Sequence, residues 1–189
     1  MLPDKADEPT ESLKKGVLIH ASAVNVLGRA LLFLGHSNAG KTTISKLLED
    51  YYPVLADDKV WISQQDNGTW IVQDATLSAR RAHLNASKFE KEQYPLLAVA
   101  RIFQANAAEI VSISAKETCK FLMDAIFEIK LQRSITLCYK KKEWFVMAAD
   151  ISRNTRGFVL TFPRNKNIIH LINHALENEI SELRLELGG

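Results

Sequence analysis

Residues Gly35–Thr43 read GHSNAGKTT. Gly35, Gly40, Lys41 and Thr42 fit G-x-x-x-x-G-K-[ST], the pattern of a loop that curls backbone N–H groups around phosphate oxygens. Two glycines allow the tight turn and the close approach of an anion. Lys41 brings a cation to the terminal phosphates, and the Thr42 hydroxyl can ligate Mg²⁺. A loop of this kind works only between a strand and a helix, whose N-terminus adds partial positive charge. The flanks meet that condition. RALLFLG (residues 29–35) is a short apolar run ending at Gly. After the loop, Ile44, Leu47, Leu48 and Tyr51 recur at helical spacing up to Pro53. Gly35, His36, Ser37, Asn38, Ala39, Gly40, Lys41, Thr42 and Thr43 are therefore the candidate nucleotide-binding residues.

Working outward, VLIHASAV (residues 17–24) is a second buried strand, joined to the first by the turn residues NVLG. VLADDKVWI (residues 54–62) reads as the strand after the P-loop helix. As a parallel neighbour it would carry Asp57 and Asp58 beside Lys41 and Thr42. One carboxylate could then hold Mg²⁺, and the other could accept the proton of an attacking hydroxyl. Taken alone, the pair reads more readily as a polar strand end in solvent; coupled to the P-loop, the site reading takes its place. His20 interrupts an apolar strand, where a histidine is commonly a hydrogen-bonded core residue. Asn38 stands where a glycine is common, and asparagine tolerates left-handed backbone. Its amide could add a phosphate contact.

QQDNG between VWI and TWIVQ predicts a hairpin. Residues 76–94 read as mostly loop. LLAVARIFQ (96–104) and EIVSIS (109–114) predict a strand pair across ANAA. Ser114 and Glu117 form a capping box ahead of a helix bearing Phe121, Leu122, Ile126 and Ile129. Residues 133–155 are at least partly helical, GFVLTFP is a last strand, and Ile168–Leu187 is a final helix.

With 189 residues, 47% of them hydrophobic, the chain has room for one domain with a real core. Residues 1–14, polar and without apolar periodicity, read as a flexible tail, and 15–189 as the catalytic domain. The 24 basic and 22 acidic residues leave a net charge of +2, which gives no electrostatic case for nucleic acid. The run Lys140-Lys141-Lys142 ends in Glu143 and reads as a solvated face. Cys119 and Cys138 form no CxxC pair; they read as core residues in a cytoplasmic protein, with a bridge as the alternative. No apolar run approaches the roughly 20 residues a membrane helix needs.

Together, LIHASAV, LFLGHSNAGKTT and VLADDKVWI resemble the catalytic core of HPr kinase/phosphorylase, a bacterial enzyme that phosphorylates a serine of a sugar-transport carrier protein. ATP-dependent phosphoenolpyruvate carboxykinase is similar in the P-loop and the paired aspartates. More weakly, VLTFPRNKNIIHLINHA resembles the family's terminal strand, arginine-bearing loop and helix. The resemblance implies a single α/β domain of the phosphoenolpyruvate carboxykinase-like type, with a mixed sheet cradling the P-loop. It implies ATP and Mg²⁺ as cofactors, with Thr42 and Asp58 toward the metal. Asp57, Asp58, His20, Lys41 and Arg164 would be catalytic, Arg164 steadying the transferred group. Arg164 is otherwise a surface arginine after Pro163.

The chain also departs from the family. It is far shorter and reads as lacking a separate N-terminal domain. HASAV replaces the usual His-Gly, and the family's later glutamate-and-glycine motif is not found in residues 63–95. These departures argue against the carrier protein as substrate and against phosphorylase activity. Small stand-alone kinases of this type match the chain better in size; some phosphorylate a serine of a ribosomally made peptide, lasso-peptide precursors among them. The expected function is thus transfer of the γ-phosphoryl group of ATP to a serine, or another hydroxyl, of a peptide or protein. Family enzymes are often hexamers, so a homo-oligomer is among the implied states. A small-metabolite kinase and a nucleotide-sensing module without chemistry are the competing readings.

Overall fold

The computed structural model describes residues 16–75, 93–131, 141–164 and 168–188. The expected N-terminal tail, most of the 76–94 segment, residues 132–140 and Cys138 lie outside these.

Gly16–Val26 (β1) turns back into Arg29–Leu34 (β2), in register from Val26↔Arg29 to Ala21↔Leu34. The two-residue turn Leu27-Gly28 has φ of 50° and 87°, the left-handed geometry that matches the twist of a tight hairpin. All of β1 is buried except half-buried Asn25. That burial explains why its apolar residues do not alternate with exposed ones, since a strand covered on both faces shows no alternation, and why His20 and Ser22 are buried polar residues within it. Its second half pairs with β2. Its first half pairs antiparallel with β4 (Lys59–Gln64), from Gly16↔Ser63 to His20↔Lys59. The short β3 (Val54–Ala56) lies against Ala23 and Val24.

The predicted hairpin joins β4 to β5 (Trp70–Asp74). From β5 the pairing passes to the start of β6 (Tyr94–Gln104), whose later residues run parallel to β2. Hydrogen-bonded neighbours thus lead from β2 through β1, β4, β5 and β6 back to β2. Beyond β6 lie β8 (Arg156–Phe162), parallel to it, and β7 (Glu109–Ile113), antiparallel to β8. The sheet is therefore mixed, as expected.

Three expectations are corrected. β6 and β7 do not pair, because β8 stands between them. Residues 97–102 of β6 are all buried and need strands on both sides, whereas β7 is largely exposed and suits an edge. The segment 54–62 is two strands, not one, broken at Asp57-Asp58. The last helix is also two, Ile169–Ala175 (α4) and Glu177–Gly188 (α5). Leu176 at the break is buried, and the change of direction lets Ile180 and Leu183 share a core with Ile169 and Ile172.

The faces of β2 divide the core. Ala30, Leu32 and Leu34 meet the side where α2 (Ala115–Leu131) and α3 (Lys141–Asn154) pack; Leu31 and Phe33 meet α1 (Lys41–Leu48), α4 and α5. This is the period of two expected of a strand between two helical layers. Leu122, Ile126 and Ile129 of α2 are buried as its spacing predicts, with Phe121 half-buried. Cys119 is buried and free. Lys141 and Lys142 are exposed. Among the described residues no helix is long and apolar enough to cross a membrane.

Candidate nucleotide and phosphoryl-transfer site

β2 ends at Leu34, the loop follows, and α1 starts at Lys41. A Cβ on Gly35 would lie 2.6 Å from the Ala39 Cβ. Gly40 has φ 98°, and a Cβ there would lie 2.6 Å from Gln104 Nε2. Asn38 has φ 68°, the left-handed backbone that asparagine tolerates.

The register of β1 assembles the rest. At His20 and Ala21 the strand passes from β4 to β2: His20 pairs with Lys59, and Ala21 with Leu34. One residue before Lys59 is Asp58; one residue after Leu34 is Gly35. The Ala21 N–H donates to the Asp58 carbonyl at 3.2 Å. The aspartates therefore reach the loop by a different route from the one expected. β3 and β4 are antiparallel partners of β1, which separates them from β2, and the bend between them brings both exposed aspartates to the rim of the loop's cavity.

One cavity of about 500 Å³ results. The loop lines it with Ser37, Asn38, Gly40 and Lys41, and the helix start with Thr42 and Thr43. His20, Asp57, Asp58 and Arg164 enter from elsewhere. His36 contributes a carbonyl to the loop's own bonding, and Ala39 packs toward the core.

The buried Lys41 Nζ donates to the carbonyls of Gly35 (2.7 Å) and His36 (3.1 Å). The Ser22 hydroxyl donates to the Lys41 carbonyl at 3.3 Å, fixing the start of α1 to β1. Burial lowers the Lys41 ammonium below its ordinary range; Glu128, Asp58 and Asp57 oppose that shift only in part, and Arg101 adds to it. His20 is a buried residue facing two carboxylates. Its Nε2 lies 3.1 Å from Asp58 Oδ1, and its Nδ1 lies 3.0 Å from Glu128 Oε1, the latter out of line for a directed hydrogen bond. Arg164 Nε donates to Gln104 Oε1 at 2.8 Å.

Glu128, Gln104 and Arg101 escaped the sequence reading. Glu128 comes from α2, 91 residues from the Ser37 it bonds, so no local spacing announces it. Arg101 did carry a signal: like His20, it interrupts an apolar strand. It is buried between the rings of Phe103 and Phe121, at 5.4 and 5.3 Å. Burial lowers its guanidinium, with Asp124 and Glu128 opposing.

The donor set fits a magnesium nucleotide. Thr42, Asp57 and Asp58 offer hard oxygens to one cavity, and Mg²⁺ is usually held by one or two carboxylates together with substrate phosphates.

A family model described as SynChlorMet cassette protein ScmC matches residues 9–176. No curated protein matches. Among solved structures, the Hpr(Ser) kinase/phosphatase from Coxiella burnetii is a distant likeness. It is 15% identical, covering 91% of this chain and 99% of that one, with a TM-score of 0.43.

Proposed function

The chain belongs to the SynChlorMet cassette protein ScmC family, and we propose that it is a Mg²⁺-dependent kinase passing the γ-phosphoryl group of ATP to a hydroxyl. The observation that carries this reading is the meeting of Lys41, Thr42 and the Asp57-Asp58 pair in one polar cavity at a helix N-terminus. The loop N–H groups and Lys41 bind the phosphates. Thr42 and Asp58 would hold Mg²⁺, which when bound offsets negative charge on the phosphate oxygens. His20 tethers Asp58 by one oxygen and so fixes its direction.

Among the described residues Asp57 has no such tether, and in this reading it takes the acceptor's proton. The acceptor oxygen bonds to the γ-phosphorus as the bond to the β–γ bridging oxygen breaks, and ADP leaves. Arg164, oriented by Gln104, turns its remaining N–H groups to the transferred group. A serine of a peptide or protein is the acceptor in this reading, by the resemblance of His20, the loop and the aspartate pair to the HPr kinase core.

The test offers γ-labelled ATP and Mg²⁺ with a peptide library and a metabolite pool. Label on a peptide serine is expected. Asp57→Asn and Asp58→Asn should each cut transfer by at least about a hundredfold while nucleotide still binds. Full turnover by both variants would overturn the assignment of the pair. Label on a metabolite alone would replace the acceptor class, and binding without transfer would make the protein a sensor.

A further inference from the structure

Glu128 places a carboxylate inside the phosphate loop's own bonding. Its Oε1 accepts from the Ser37 N–H at 2.9 Å and lies 3.3 Å from the Ser37 hydroxyl. The same oxygen stands 3.0 Å from His20 Nδ1, and the side chain is only 18% exposed. Burial alone would push its carboxyl up. His20, the Ser37 N–H and Lys41 outweigh that and hold it below the ordinary range, so it is an anion at neutral pH.

The position matters. A P-loop lysine meets the β- and γ-phosphates, and Lys41 Nζ is held by the carbonyls of Gly35 and His36, next in sequence to Ser37. Ser37 therefore borders the terminal end of a bound phosphate chain. Its N–H is the kind of donor that a phosphoryl oxygen takes, and a carboxylate already holds it.

We propose that Glu128 is a resident anion at the terminal-phosphate subsite, which a third phosphate must displace from Ser37. It holds the mouth of the loop in shape without nucleotide and disfavours triphosphate relative to diphosphate. After yielding Ser37 it keeps His20 as a neighbour, so α2 registers whether the subsite is filled. This inference rests on the phosphate-binding half of the proposed function and not on the identity of the acceptor.

The experiment is calorimetric titration of a non-hydrolysable ATP analogue and of ADP into wild type, Glu128→Gln and Glu128→Ala. Both variants should bind the triphosphate about tenfold more tightly while ADP affinity changes less than about threefold, because only the third phosphate feels the removed charge closely. A loss of packing would move both ligands together. An unchanged or reduced triphosphate-to-diphosphate ratio in the folded variants would overturn the inference, leaving the phosphate site standing. Wild-type protein that binds neither nucleotide would overturn both.

Discussion

A methyl group on Gly40 would meet Gln104 Nε2 at 2.6 Å and Phe162 Cζ at 3.0 Å, in a backbone whose φ of 98° already disfavours a side chain. Gln104 is the residue that holds Arg164. Gly40→Ala should therefore disturb both the cradle and the arginine. Nucleotide affinity is expected to fall at least about tenfold, with the strain of left-handed backbone adding about 1 kcal/mol to the loss of stability. Titration calorimetry and a melting curve check the two effects separately. The loop itself was legible because its chemistry is contiguous: Gly35, Gly40, Lys41 and Thr42 act within one turn of chain. His20 was legible as a polar residue in an apolar strand. Glu128 was not, since its partners come from a strand and a loop distant in sequence, and the helix that carries it has other acidic residues of no different appearance.

Among the elements, α2 shows local sequence and structure agreeing. The Ser114 N–H donates to Glu117 Oε2 at 3.0 Å, and the Glu117 N–H donates to Ser114 Oγ at 3.3 Å, the reciprocal capping box. Ser114→Ala should cost about 1 kcal/mol, read as a lower melting temperature. The Ser114 hydroxyl and N–H hold the Glu117 carboxyl below its ordinary 4.5. A lowered folded-state value stabilises above the unfolded one and is lost as pH falls through the folded one. The melting-temperature gap between wild type and Glu117→Gln should thus be full at pH 7 and shrink as the pH falls below the ordinary 4.5. Strand existence was equally local, since β1, β2, β5 and β8 lie where apolar runs put them. Strand adjacency was not. The short connection from β6 to β7 suggested a hairpin, but it equally spans to the far side of β8, and only the burial of β6 on both edges decides between them.

At the scale of the molecule, α3 is fastened to the β4–β5 hairpin by one carboxylate. Asp150 Oδ2 accepts from Trp70 Nε1 at 2.9 Å and from Gln64 Nε2 at 3.3 Å. Asp150→Ala would leave the buried Trp70 N–H without that acceptor, so a loss of about 1–3 kcal/mol in denaturant unfolding is expected, with nucleotide affinity unchanged. The closed circuit of strands also bears on how the protein is made. His20, the loop and Asp58 leave the ribosome before β5, β6 and β8. Among the described residues, however, β2 is covered on its second edge by β6 alone, and β6 on its own second edge by β8 alone. Glu128 and Arg164 arrive later still than β6. A nascent chain stalled before β8 would therefore carry the whole phosphate-loop motif without a finished site. Competence for nucleotide would come only once β8 has been made, when Phe162 closes over the turn at Gly40.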